Sequence, residues 1–254
     1  MFLESKNLLH RTSTLLTLLC TAHFIVISAS SQNDDKADPA VVKSSNDSSE
    51  FGELSKEEKE DLRKLLREAA SLLNGIRVQE SLEKIIEAES IVSNFAPLYN
   101  LKGAAYTKIR DFDKAQAAFE KAVLLDPKAI MTKFNLVEMH FVKKNYSLAD
   151  KEFSKFLSLN KDLPASTKAL VKYKILICNL KQGNDSNAKE IIKNFDYLDD
   201  HPAFYYSNAA IHFNKREPIK ANSWLKAASK IYKPSINDVY SDSLIESGWL
   251  ENIE

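Results

Sequence analysis

A chain of 254 residues with 44% apolar side chains is long enough for one large domain or two small ones. Its 35 Lys and Arg balance 35 Asp and Glu, so there is no global basic field to gather phosphates, which argues against nucleic acid as a main ligand. Gly52, Gly75, Gly103, Gly183 and Gly248 are too few for the many tight turns of a strand-rich fold, and an all-α fold is expected.

Residues 1 to 30 begin with Glu4, Lys6 and Arg11, continue through the apolar runs Leu15–Cys20 and Phe24–Ile27, and end in Ser28, Ala29 and Ser30. That order of charged, apolar and small residues is a secretory signal peptide. Polar residues dilute the apolar stretch, so cleavage after Ala29 or Ser30 is favoured over a permanent span. If the segment is kept as an anchor, Lys6 and Arg11 on one side and Asp34 and Asp35 on the other put the bulk of the chain outside. Either way the expected location is periplasmic or cell envelope. Leu19 precedes Cys20 where a lipoprotein needs a small residue, which argues against lipidation. Maturation leaves 33 basic and 34 acidic residues and the single Cys178, so no internal disulfide is expected.

Residues 31 to 55 are rich in Ser, Asn and Asp and poor in aromatics, and they are expected to be a disordered polar linker. Ser55 and Glu58 then have capping-box spacing ahead of Leu62, Leu65, Leu66, Ala69, Leu72 and Leu73, which predicts a helix start.

From there the chain repeats. Counting Ala96 as position 1, Tyr99, Gly103, Tyr106, Phe112, Ala115, Phe119, Ala122 and Pro127 fall at positions 4, 8, 11, 17, 20, 24, 27 and 32. A unit from Ile130 places His140, Tyr146, Ala149 and Phe153 at positions 11, 17, 20 and 24. Further units from about Ala169 and Pro202 share Ala188 and Ala221 at position 20, and a divergent one near Leu62 places Ala69 and Ala88 at positions 8 and 27. The alanines 115, 149, 188 and 221 are spaced 34, 39 and 33 apart, so the middle joint holds about five extra residues at 164 to 168, as a longer helix or a loop. Pro97, Pro127, Pro164, Pro202 and Pro234 recur at the joints.

A period of this length with these residues resembles the tetratricopeptide repeat family. The resemblance implies antiparallel helix pairs in which small residues allow close crossing, stacked as a right-handed α-solenoid. The repeats are expected at about 62–95, 96–129, 130–163, 169–202 and 202–235. A capping helix over 236–254 should cover the last repeat with Val239, Leu244, Ile245 and Trp249 or Leu250. Asp126 before Pro127 and Glu217 before Pro218 suggest helix starts, and Gly75 and Gly183 helix ends. The chain's tail also resembles tails of exported bacterial repeat proteins of unassigned role.

No catalytic signature is present: there is no phosphate loop, no nucleophile elbow, no His-Glu-x-x-His and no Cys-x-x-Cys. His140, His201 and His212 have no metal-ligand spacing, and His140 and His212 read as packed rings. Cys178 lies among Ile175, Leu176, Ile177 and Leu180 and reads as a buried thiol. The protein is therefore read as no enzyme, with no cofactor and no metal.

What the resemblance implies about function lies on the concave face. The groove positions of the family fall here on Phe134, Glu138, Phe141, Tyr173, Ile177, Leu180, Tyr206, Phe213 and Asn214. Such a groove suits an extended peptide or an amphipathic helix, with Glu138 to receive a ligand's Lys, Arg or amino group. The alternative is that the chain's own linker, its capping helix or a second copy fills the groove. The Lys and Asn clamp of chaperone-tail readers is absent, since Asn100, Ala104, Phe134 and Glu138 stand at those positions. The expected function is an envelope interaction scaffold whose partner is a protein or peptide. The alternative is a membrane-tethered accessory or chaperone-like factor for translocation or complex assembly, with the membrane met only through an uncleaved amino terminus. An enzyme with a degenerate site would need His140 and Glu138 for turnover.

Overall fold

The structure is a computed structural model and describes residues 49–251. The signal-peptide reading and most of the linker fall outside the described residues. Within them the chain is helical throughout: α1 (Ser49–Glu53), α2 (Lys56–Asn74), α3 (Val78–Ile91), α4 (Ala96–Lys108), α5 (Phe112–Leu125), α6 (Ile130–Val142), α7 (Tyr146–Leu159), α8 (Ala165–Lys181), α9 (Asp185–Ile192), α10 (Ala203–Asn214), α11 (Pro218–Ile231) and α12 (Pro234–Glu246). These form a right-handed α-solenoid of five antiparallel pairs, α2/α3 to α10/α11, followed by one further helix.

The pairs are explained by small residues at the crossings. Ala115, Ala149, Ala188 and Ala221 are all fully buried, as are Ala69, Ala122 and Ala209. In α4, a β-carbon on Gly103 would lie 2.6 Å from the Phe119 ring of α5, so only glycine lets these two helices approach so closely. Larger residues fill the rest, including Leu62 and Ile85 in the first pair and Phe153, Leu176 and Ile177 further on.

Every turn inside a pair is the same device. Ile76, Arg110, Lys144, Gly183 and Arg216 have φ between 60° and 77°, and they are separated by 34, 34, 39 and 33 residues. In each case the next residue's N–H donates to a carbonyl five residues back, as from Asp111 to Tyr106 at 3.0 Å and from Asn145 to His140 at 2.9 Å. This is the Schellman closure, which satisfies the last carbonyls of the inner helix. In the first turn the left-handed residue is Ile76 and not Gly75, whose φ is −79°.

The long interval between Lys144 and Gly183 goes into helix. α8 has 17 residues where α4 and α6 have 13, and it begins directly after Pro164. Ser55 accepts from the Glu58 N–H at 3.2 Å and Glu58 accepts from the Ser55 N–H at 2.8 Å, a complete capping box. Asp126, by contrast, ends α5 and holds a turn through the Lys128 N–H at 2.9 Å, and α6 starts only at Ile130.

The linker expectation needs correction at its end. Residues 49–53 form α1, whose Phe51 ring stacks on Phe95 at 4.7 Å. Glu50 accepts from the backbone N–H groups of Ser93 and Asn94 at 3.1 and 3.0 Å. Hydrogen bonds from Asn94 and then Ser93 hold its carboxyl below the usual range. One aromatic ring and one carboxylate suffice to dock a segment whose composition otherwise reads as solvated.

Candidate binding groove

Arg110 after α4, Tyr173 and Lys174 of α8 and Tyr206 of α10 all meet α12, so it is the chain's own last helix that covers this part of the expected groove. It does not continue the stack. The segment after α11 turns through Tyr232 and Lys233, both extended, and Pro234 opens α12 at its first position. Asn237, Tyr240, Ser243, Leu244 and Ser247 of this segment are buried and recur at helical spacing, so they form one inward stripe. Val239 and Ile245, expected to cover the last repeat, are only half-buried.

The aromatic floor meets that stripe through Tyr173 and Tyr206. The Tyr240 ring lies 5.2 Å from Tyr173 and 5.6 Å from Tyr206, and the Tyr173 hydroxyl donates to the Tyr240 carbonyl at 3.2 Å. Burial pushes all three phenols up: Tyr206 to about 12, and Tyr173 and Tyr240 well above the ordinary tyrosine value.

Beside the tyrosines is a buried polar chain. Lys174 places its ammonium 2.6 Å from Glu138 Oε1, outside hydrogen-bond alignment, so charge attraction holds the pair. The same ammonium donates to Ser243 Oγ at 2.9 Å and lies 5.0 Å from the Phe141 ring centre. Glu138 therefore does receive an amino group, and it is the protein's own.

Basic side chains line the path of the carboxyl-terminal half of α12. Arg110 grips Glu246 with both terminal nitrogens, at 2.8 and 3.2 Å. Burial pushes the Lys108 ammonium below its ordinary value and Asp242 opposes that. Lys181 stands 3.8 Å over the Trp249 ring. Residues 234–251 contain Asp238, Asp242, Glu246 and Glu251 and no basic residue, so the occupant and its cleft have opposite charge.

The other expected groove residues are packed in the core or half-buried beside it. Phe134 packs on Phe153 at 6.0 Å and Phe156 at 5.7 Å, and Phe141 on Tyr146 at 5.8 Å and Phe153 at 6.3 Å, so both rings fill the α6/α7 pair. Ile177 and Leu180 are buried in the same core as α7 and Leu244. Phe213 and Asn214 are half-buried at the end of α10, where Asn214 reaches Asp185 at 3.3 Å. Arg110, Lys174, Tyr240, Ser243 and Glu246 were not singled out by sequence. Their one available signal was the unbroken acidity of residues 234–251.

Cys178 is buried, and burial pushes its thiol up, with Asp150 adding to the effect. Among the described residues no group of His, Cys, Asp and Glu is arranged to hold a metal ion, and no helix is long and apolar enough to cross a membrane.

A family model described as tetratricopeptide repeat matches residues 96–129. A tetratricopeptide repeat protein from Parabacteroides merdae is similar in structure, with 15% identity, a TM-score of 0.57, and coverage of 74% of this chain and 73% of that one. The structure reported in a functional characterization of Pseudomonas aeruginosa pilF is similar at 14% identity and a TM-score of 0.55, over 76% of this chain and 90% of that one. No curated protein matches the sequence. One unit, residues 96–129, matches the family model, and the chain as a whole has the tetratricopeptide repeat fold, each pair closing on the same left-handed turn.

Proposed function

We propose that this protein is a non-enzymatic protein–protein interaction scaffold of the cell envelope, whose concave groove holds a helical or extended segment of a partner protein. Tetratricopeptide repeat proteins are generally interaction scaffolds without catalytic activity. What supports the groove reading is that Tyr173, Tyr206 and Lys174 already hold a helix, α12 of the same chain, through an aromatic side chain and a polar one. The export pattern of residues 1 to 30 supports the envelope location.

The test is site-specific photocrosslinking in intact cells from Lys108 and Lys181 beside α12, with the exposed Leu124 on outer helix α5 as control. The expected result is a discrete envelope protein captured only from the positions beside α12. Equal capture from Leu124, or recovery of the protein in the cytoplasmic fraction, would refute the reading.

A further inference from the structure

We propose that α12 is a built-in stand-in for the partner, and that the groove's true ligand is an acidic amphipathic helix of another protein that carries an aromatic residue followed, within two turns, by small and apolar residues and a carboxylate. This rests on the groove reading above and adds the chemistry of what binds.

The argument comes from what the groove demands of α12. Tyr173 and Tyr206 both pack on the ring that Tyr240 supplies, and the Tyr173 hydroxyl finds its acceptor there. Three residues on, Lys174 needs an oxygen in addition to its ion pair, and Ser243 provides it. A small side chain is required at that point, because the ammonium sits directly beneath the helix. Leu244, fully buried, supplies the apolar contact, and Glu246 the carboxylate for Arg110. Lys108 extends the same demand to Asp242.

The charge pattern separates a stand-in from an ordinary cap. A helix that only closes a solenoid presents a polar outer face to water and needs no charge matched to one rim. Here all four charges of residues 234–251 are acidic, and two of them meet a basic side chain of the solenoid, Glu246 at Arg110 in the turn after α4 and Asp242 beside Lys108 of α4. Arg110 keeps 39% of its side chain exposed while Glu246 keeps 7%, so the pair can be opened from the rim. As part of the same chain, α12 competes at a high effective concentration. A partner helix therefore binds well only when it outmatches α12 or when α12 is loosened.

The probe is a fluorescent peptide of residues 234–251, measured by anisotropy against the full chain and against full chains carrying Glu246→Lys, which sets two cations against each other at Arg110. The peptide should bind the variant at least tenfold tighter than the unaltered protein. A peptide with Asp242→Lys and Glu246→Lys should lose most of that gain, and a full chain with Arg110→Glu should reverse the preference between the two peptides. Should Glu246→Lys leave α12 seated, Leu244→Ala releases it by removing its buried anchor, and circular dichroism checks that the solenoid is retained. Equal binding of both peptides would overturn the acidic-ligand inference while leaving the groove reading standing. Failure of both peptides to bind a folded variant whose Trp249 fluorescence shows α12 released would defeat the groove reading as well. A released variant that becomes dimeric and binds neither peptide would assign the groove to α12 of a second copy, against the proposal.

Discussion

Gly103 on α4 faces the ring of Phe119 on α5 with no room for a methyl group, since a β-carbon there would lie 2.6 Å from the ring. Alanine normally favours a helix over glycine by about 1 kcal/mol. Here that gain is outweighed by overpacking, because Phe119 is fully buried and cannot swing away. Gly103→Ala is expected to destabilise the protein by about 1–2 kcal/mol, read as a lower urea midpoint. An unchanged or higher midpoint would mean the pair tolerates a wider crossing.

The left-handed turns predict the opposite sign for glycine. Arg216 holds φ at 60° and is solvent-exposed. Replacing it with glycine removes the β-carbon clash, and Arg216→Gly should stabilise by about 0.5–1 kcal/mol despite the extra freedom of the unfolded chain. Thermal denaturation of the two proteins side by side decides it.

The tyrosine cluster gives the fold an alkaline limit. An unfolded tyrosine ionises near 10, whereas Tyr206 in the folded chain is pushed to about 12 by burial. Above pH 10 the unfolded state therefore releases its proton first, and stability present below that value is lost progressively between about 10 and 12. Two units correspond to about 2–3 kcal/mol. Urea midpoints at pH 9 and pH 11 should diverge in the unaltered protein and diverge less in Tyr206→Phe.

Cys178 should be inert while the protein is folded. Burial holds the thiol protonated, and it is the thiolate that attacks. A thiol reagent at pH 8 should modify Cys178 slowly in buffer and stoichiometrically in denaturant. Rapid reaction in buffer would show that the α8 region opens easily.

The repeat plan was legible because it rests on local spacing. Four alanines at position 20 and one glycine at position 8 mark where backbones must touch, and each lies buried at a crossing. The groove was only partly legible. Phe134 and Phe141 are seven residues apart and share a helix face, but position counting alone does not show that this face meets Phe153 and Phe156 of α7. Tyr173 and Tyr206 do face the groove, and what covers them was hidden for a different reason. Val239, Leu244 and Ile245 suggested a helix lying flat on the last repeat. The observed placement depends on Arg110, Lys174 and Tyr206 acting together on Glu246, Ser243 and Tyr240, contacts between residues up to 136 positions apart that no local pattern encodes.

Helical arrays of this kind ordinarily gain or lose units freely, because each unit touches only its neighbours. The return of α12 to Arg110 makes this molecule different: Glu246 of the last helix is joined to the turn of the second unit, and Ser243 to the fourth. Inserting or deleting one unit between them would carry these partners out of register, so the number of repeats is locked by geometry. The same return raises the contact order of an otherwise local topology, since Glu246 meets a partner 136 positions away.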